Sequence, residues 1–340
     1  MPIIGAAAQC DEEVAISKAV CQPTLSLSVR SITCEAKDIL SFELVDSEGA
    51  SLPAFTAGAH IDVHVADGLI RQYSLCNDPA ERGRYLIAVL NEAESRGGSL
   101  ALHKTIQEGD LLEASKPQNH FRLNYQASRH MLLAGGIGVT PIISMVAELE
   151  ARGAEYLMHY CTRNPEMTAF KRLLDPLAER GKVRFHHDGG KPSNGLDLAS
   201  TLREYVPGDH LYCCGPAGFM TATANAVAHW PTEAVHFEYF STPDDKQVDK
   251  TESETPFQVS IASTGDVFDV PANRTIIEVL RENGYTVETS CEEGFCGTCI
   301  TKYVEGVPDH RDMVLDDDDR SDFVLICCAR SKTPVLVLDL

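Results

Sequence analysis

Between residues 23 and 128, apolar and polar positions alternate in short runs, LSLSV (25–29), SFELV (41–45), HIDVHV (60–65) and RYLIAVL (84–90), each closed by turn residues. A period of two over such lengths predicts strands with one buried face, and a succession of them predicts a small antiparallel β-barrel. From His130 the pattern changes. The apolar run MLLAGG (131–136) enters a glycine turn and then the helical spacing of PIISMVAELEARG. The alternation continues through YLMHYC (156–161), MTAFKRLLDPLAERG, VRFHH (183–187), LDLASTLREY (196–205), HLYCCG (210–215), GFMTATANAVAHW and AVHFEYF (234–240). Strand and helix in this rhythm predict a parallel α/β sheet with crossover helices over 129–240. Residues 241–256, STPDDKQVDKTESETP, are polar, charged and bounded by proline, the pattern of a linker. Beyond them FQVSIASTGDVFDVP (257–271) predicts a hairpin turning at Thr264-Gly265-Asp266, and RTIIEVLRENG (274–284) a helix with a glycine stop. The pattern therefore expects an extension (1–22), a β domain (23–128), an α/β domain (129–240), a linker (241–256) and an α+β domain (257–340).

Length agrees with this division, since 340 residues suit two or three cores of about 100 residues each. No run of about 18 apolar residues is present, so no membrane span is expected. The amino terminus lacks a basic segment and turns acidic at Asp11, Glu12 and Glu13, which argues against a secretory signal. A net charge of −21 makes nucleic acid or an anionic membrane a poor partner and a basic protein surface an easier one. Of twelve cysteines, five crowd between 291 and 328 and the others are scattered, which points to a metal site in a cytoplasmic protein rather than to a disulfide framework.

Residues 291–299, CEEGFCGTC, have the form C-x4-C-x2-C, and Cys327 follows Cys299 by 28 positions. This is plant-type [2Fe–2S] spacing. A two-iron cluster needs four thiolates converging on a small volume, and Gly294 and Gly297 give the loop freedom to wrap it. A zinc site using the 296–299 pair with Cys327 and Cys328 is the competing reading, although a zinc ribbon normally shows two separated C-x2-C pairs. Spacing alone permits either Cys327 or Cys328 as the fourth ligand.

Two glycine turns follow strands and open helices: LLAGGIGVTPI (132–142) and CCGPAGFM (213–220). Free amides at a helix start bind pyrophosphate, and two such turns can line the carboxyl edge of one sheet. The first lacks the G-x-G-x-x-G order, so taken alone it reads equally as a tight connection.

RQYS (71–74), GGIGVTP (135–141) and CGPAGFM (214–220), in that order, resemble the ferredoxin-NADP reductase superfamily. With a carboxy-terminal plant-type ferredoxin of β-grasp fold, the chain resembles the phthalate dioxygenase reductase family, which includes vanillate O-demethylase reductases. The resemblance runs from about residue 25 to 340. It implies a flavin between the first two domains, with Arg71 on its phosphate, Gln72 within the same strand motif, Tyr73 on or near the ring and Ser74 near N5. RGGS, Arg96, Gly97, Gly98 and Ser99, marks FMN in that family. The resemblance places Gly136, Gly138, Val139 and Thr140 against the dinucleotide, Cys214, Gly215 and Pro216 beside the nicotinamide, and Glu238 and Phe240 near the flavin. It also selects Cys291, Cys296, Cys299 and Cys327 as cluster ligands. NADH is the implied donor, with NADPH open because Arg163 could attract a 2′-phosphate. His60, His103, His120, His186, His187 and His236 show no ligand spacing and read as structural.

Hydride transfer moves two electrons and a [2Fe–2S] cluster takes one, so the implied order is NADH, FMN, cluster. No protein acid, base or nucleophile is needed. The implied acceptor is a separate Rieske-type terminal oxygenase acting on an aromatic substrate, and the implied reductase is a monomer. The acidic run Asp316 to Asp319 could steer a basic acceptor surface. A cytochrome P450 as acceptor, and more remotely a redox sensor or zinc-binding interaction module, are the competing readings.

Overall fold

The computed structural model describes residues 24–66, 69–92, 98–240, 255–287, 289, 292, 294, 297–312, 314–315 and 319–340. The extension 1–22, most of the linker 241–256, and Arg96, Gly97, Cys291, Cys296 and Asp316 to Asp318 lie outside them.

Six strands form the first sheet: β1 (Leu25–Ala36), β2 (Ile39–Asp46), β3 (His60–Ala66), β4 (Leu69–Ser74), β5 (Tyr85–Leu90) and β6 (Leu111–Ala114), ordered β4-β3-β6-β1-β2-β5 with antiparallel neighbours. Every strand sends apolar side chains into one core, among them Leu27, Phe42, Ile61, Tyr73, Ile87 and Leu112. Edge strands at opposite ends of the order thus face the same interior, as in a sheet curled into a barrel. Strands β4 and β6 fall outside the alternating runs that marked the others. Helix α1 (Gly98–Thr105) begins inside the RGGS string.

The second sheet is parallel and runs β7 (Arg129–Gly135), α2 (Val139–Arg152), β8 (Tyr156–Thr162), α3 (Lys171–Glu179), β9 (Val183–His187), α4 (Leu198–Thr201), β10 (Asp209–Cys214), α5 (Ala217–Ala226), β11 (Val235–Glu238). Its order is β11-β10-β7-β8-β9. The chain builds outward from β7 to β9 and then returns to the other side of β7, so the order reverses between β7 and β10. At such a switch point the loops leaving the two central strands diverge and open a crevice. Barrel residues Ile39, Ala57, Cys76, Ala88 and Phe121 share a core with Leu132, Ile142, Met145 and Tyr160 of the parallel unit. The Gly58 N–H, from the barrel, donates to Ser144 Oγ of α2 at 3.0 Å.

The third sheet, ordered β13-β12-β18-β14-β16, comprises β12 (Phe257–Ile261), β13 (Val267–Val270), β14 (Ile300–Glu305), β16 (Phe323–Leu325) and β18 (Val335–Leu338). Beside it β15 (Pro308–Asp309) pairs with β17 (Arg330–Ser331). Helix α6 (Ile276–Glu282) buries Ile276, Ile277, Val279 and Leu280 in the same core, and its start is closed by a capping box in which Thr275 and Glu278 bond reciprocally. Among the described residues no helix is long and apolar enough to cross a membrane.

Candidate functional site

The two glycine turns meet at the switch point. A Cβ on Gly138 would lie 2.4 Å from the carbonyl carbon and oxygen of Cys214 and 2.6 Å from the Gly215 nitrogen. One on Gly215 would lie 3.0 Å from Gly135 Cα. Gly135 and Gly138 have ordinary backbone angles, so it is the missing side chain, not unusual conformation, that lets the turns touch. Val139 and Thr140 begin α2 but bury their side chains, and the Thr140 hydroxyl donates to Ile137 O at 3.0 Å. The side chains of this helix start are thus turned inward. The Val139 N–H is bonded to Gly136 O and Ile137 O, and Pro141 has no N–H, so Thr140 is the first-turn residue whose amide is left to face a ligand at this edge.

Residues from both units converge beside these turns. Glu238, the last residue of β11, is in register with Cys214, the last of β10. Burial pushes the Glu238 carboxyl up to about 8, partly offset by the Ser74 hydroxyl from β4. The group is thus a neutral acid at pH 7. Cys214 is fully buried, and burial, with Glu238 and Cys213 adding to it, holds its thiol well above the ordinary range. Pro216 and Phe240 lie exposed at the rim, Phe240 at 38%.

On the barrel side Arg71 lies over Gly98, whose Cβ would fall 2.5 Å from Arg71 Cγ, and Arg71 also donates to Ile70 O at 2.8 Å. The RQYS strand and the start of α1 are thereby brought together, placing a guanidinium beside a helix N-terminus, a pairing suited to a phosphate. Tyr73 remains a phenol because burial makes its hydroxyl harder to ionise, against the nearby Arg71 charge. Gln72 Nε2, Ser99 Oγ and Glu238 Oε2 are buried and have no hydrogen-bond partner among the described residues. Buried polar atoms are normally satisfied, so three orphans from three segments mark where a polar ligand completes the site. The residues present therefore fit a flavin.

His60 was not legible as part of this region. Both of its ring nitrogens are buried without partners among the described residues, it stacks on His120 at 5.7 Å, and it faces Ser74 across the β3–β4 register. Burial, then the neighbouring His120, pulls it down to about 3, so it is neutral.

In the third unit Cys299 and Cys327 are buried in the core, each 2% exposed. Gly294 and Gly297 adopt φ of +79° and +78°, the left-handed region where glycine carries no penalty. A Cβ on Gly294 would meet Cys328 Sγ at 2.5 Å, and one on Gly297 would meet Val314 Cγ1 at 3.3 Å. Cys328 thus packs against the loop, its S–H directed to Leu325 O at 3.7 Å. Asp312 borders the same glycine, its Cα 3.3 Å from a Gly294 Cβ, and its buried carboxylate accepts the N–H groups of Val314 (3.1 Å) and Leu315 (2.9 Å). Two buried thiols beside a glycine-turned loop have the donor chemistry of an iron–sulfur site.

Comparison with known proteins agrees with both halves of this geometry. Residues 259–332 match the model of a 2Fe-2S iron-sulfur cluster binding domain, and 132–225 that of an oxidoreductase NAD-binding domain. The reductase subunit of a tert-butanol monooxygenase / tert-amyl alcohol desaturase from Aquincola tertiaricarbonis is 48% identical over 93% of this chain and 96% of its own. A solved phthalate dioxygenase reductase, described as a modular structure for electron transfer from pyridine nucleotides to [2Fe-2S], is 44% identical with a TM-score of 0.73, over 93% of this chain and 98% of that one. An intact type IV self-sufficient cytochrome P450 monooxygenase is 37% identical with a TM-score of 0.79, over 93% of this chain but 41% of that one. Identity at this level over nearly the whole length of both partners places the chain in the phthalate dioxygenase reductase family, oxidoreductases that join an NAD-binding domain to a [2Fe–2S] domain.

Proposed function

We propose that the chain is the NADH-dependent reductase component of a two-component oxygenase system, delivering electrons one at a time to a Rieske-type terminal oxygenase. The observation that carries this reading is the convergence of Ser74, Glu238 and Cys214 at the switch point, with buried polar atoms of Gln72, Ser99 and Glu238 left for a ligand. Bound FMN would supply the conversion of one hydride into two single electrons, and a [2Fe–2S] cluster on Cys291, Cys296, Cys299 and Cys327 the one-electron exit. Arg71, Ser99 and the amide start of α1 hold the flavin phosphate, with Arg96 and Gly97 preceding it in sequence. The turns that touch at Gly135, Gly138 and Gly215, with Gly136 between the first two, hold the dinucleotide so that its nicotinamide lies beside Cys214, Pro216 and Glu238. The neutral Glu238 keeps an unpaired charge out of this buried space.

Domains at 23–128, 129–240 and 257–340, joined by the 241–256 linker, suit a monomer in which the cluster unit is tethered to its own flavin reductase. Cys34, Cys76, Cys161, Cys213, Cys214 and Cys328 are free thiols, which supports a reducing, cytoplasmic compartment. The relatives named for a monooxygenase and for a phthalate dioxygenase support an oxygenase acceptor. The match to part of a self-sufficient cytochrome P450 favours a second reading, in which the same unit serves a P450. The test mixes the purified protein anaerobically with NADH or NADPH and, in turn, a Rieske-type oxygenase and a P450. NADH-driven reduction of the oxygenase is the expected result. Reduction of the P450 alone would select the second reading, and a chain that oxidises neither nucleotide would refute both.

A further inference from the structure

Glu292, which follows Cys291 in the sequence, is one of three non-glycine residues with positive φ among those described, at +56°. The left-handed region is disfavoured for an ordinary L-residue, so the surroundings must hold it there. They do so through a closed ring of three side chains. The Arg281 guanidinium pairs with Glu292 Oε1 at 2.7 Å and also donates to Thr289 Oγ1, while the Thr289 hydroxyl donates to the same Glu292 oxygen at 2.9 Å. Thr289 is buried at 7% exposure, and Arg281 and Glu292 are partly open at 42% and 37%. Arg281 stands in the last turn of α6, a helix fixed by its capping box and by four apolar residues in the core that also holds Cys299 and Cys327. Rigidity therefore passes from the core through α6 to Arg281, and from Arg281 to the backbone next to Cys291.

We propose that Arg281, Thr289 and Glu292 form a clamp that positions the first cysteine of the cluster loop and neutralises the carboxylate beside it. These are positioning residues, not ligands, and the inference rests on the reading of Cys291 as a ligand. The ring holds the loop in its left-handed turn, and the guanidinium cancels a negative charge next to an anionic thiolate cluster. Opening it from either side loosens the loop, but the two openings leave opposite charges behind. Removing Arg281 takes a positive charge away from the Glu292 carboxylate and disfavours adding an electron. Removing the carboxylate leaves the guanidinium and favours it.

The experiment uses the full-length holoprotein and compares Arg281→Gln, Glu292→Gln, Arg281→Lys and Cys291→Ala. Readouts are the rate at which the visible cluster bands bleach in EDTA and the midpoint potential of the cluster by dye equilibration. Both Gln variants are expected to bleach about fivefold faster than wild type, the scale of a partly exposed charge-assisted pair. Their potentials should move in opposite directions, down for Arg281→Gln and up for Glu292→Gln, with smaller shifts at high salt. Arg281→Lys keeps the charge but gives up the fork, so it should bleach at an intermediate rate with the potential held near wild type. It also serves where a Gln variant does not accumulate. Potentials that move in the same direction, or bleaching unchanged in Arg281→Lys and the Gln variants, overturn the clamp. A cluster that persists unaltered in Cys291→Ala overturns the ligand reading instead, whatever the clamp variants do.

Discussion

Glycines serve the nucleotide edge and the cluster loop in different ways. At the edge Gly135, Gly138 and Gly215 have backbone angles open to any residue, and their value is the space a side chain would fill: 2.4 Å separates a Gly138 Cβ from the Cys214 carbonyl. In the loop Gly294 and Gly297 turn left-handed, and a Cβ on Gly297 meets only Val314 at 3.3 Å, an ordinary side chain able to give way. One site is thus made by backbone approaching backbone, and its chemistry is that of amides. The other is made by thiol side chains; Gly297 bends the chain that carries them, and Gly294 both bends it and leaves room for Cys328 Sγ, 2.5 Å from where its Cβ would lie. Damage should follow accordingly: the edge fails by collision, the loop by loss of a ligand or by strain.

Substitutions can break this contrast from either end. Cys299→Ala should have the largest effect, abolishing the iron–sulfur bands of the purified protein while NADH-driven reduction of ferricyanide survives. Loss of both activities would show that the two units do not work separately. Gly138→Ala should do the reverse, keeping the cluster bands but losing about 100-fold in kcat/KM with NADH, equivalent to roughly 2.7 kcal/mol. A variant with normal NADH kinetics would show that the touching turns are not the dinucleotide site.

A third test uses acid against the parallel sheet. His159 and His236 are each pulled down to about 4, first by burial and then by their stacked partners, His186 and His210. Each is neutral when folded and takes a proton near 6.5 when unfolded. Their contribution is therefore complete above pH 6.5 and is lost as pH falls from 6.5 toward 4. Urea unfolding followed by Trp230, the single tryptophan, buried in the core of the parallel unit, should show stability falling by about 1–2 kcal/mol per pair between pH 7 and pH 5. In a His159→Gln, His236→Gln variant the fall should be smaller, and an equal fall would remove the histidines as its cause. Gly297→Ala should be mildest, costing about 1 kcal/mol of stability in the third unit with Gly297→Asn milder still, because asparagine tolerates the left-handed turn. Wholesale cluster loss in both would show that the loop tolerates no side chain there.

Which of these features the sequence announced depended on how far apart in the chain the partners lie. Three of the cluster cysteines fall within nine residues, so their spacing was readable, and the three layers followed from strand and helix periods. The glycine turns were readable singly. Their contact was not, because it depends on β10 returning beside β7. Gly98 and Ser99 were readable as part of the RGGS string, but not as a helix start, since the weakly patterned LALHKT after them hides the helix they open. Val139 and Thr140 were expected against the dinucleotide, and their side chains are buried, with the Thr140 hydroxyl bonded to Ile137 O. The His159–His186 and His210–His236 pairs span 27 and 26 residues, and the Arg281–Glu292 ring joins a helix to a loop. Such pairings exist only once strand register and the packing of α6 are fixed.

The central claim, an internal electron chain entered at the nucleotide edge and left at the cluster, is tested most directly by rapid anaerobic mixing with NADH. The flavin absorbance should bleach first and the cluster bands second, and protein stripped of flavin should keep an oxidised cluster until flavin is restored. A cluster that NADH reduces at the wild-type rate in the stripped protein would contradict it.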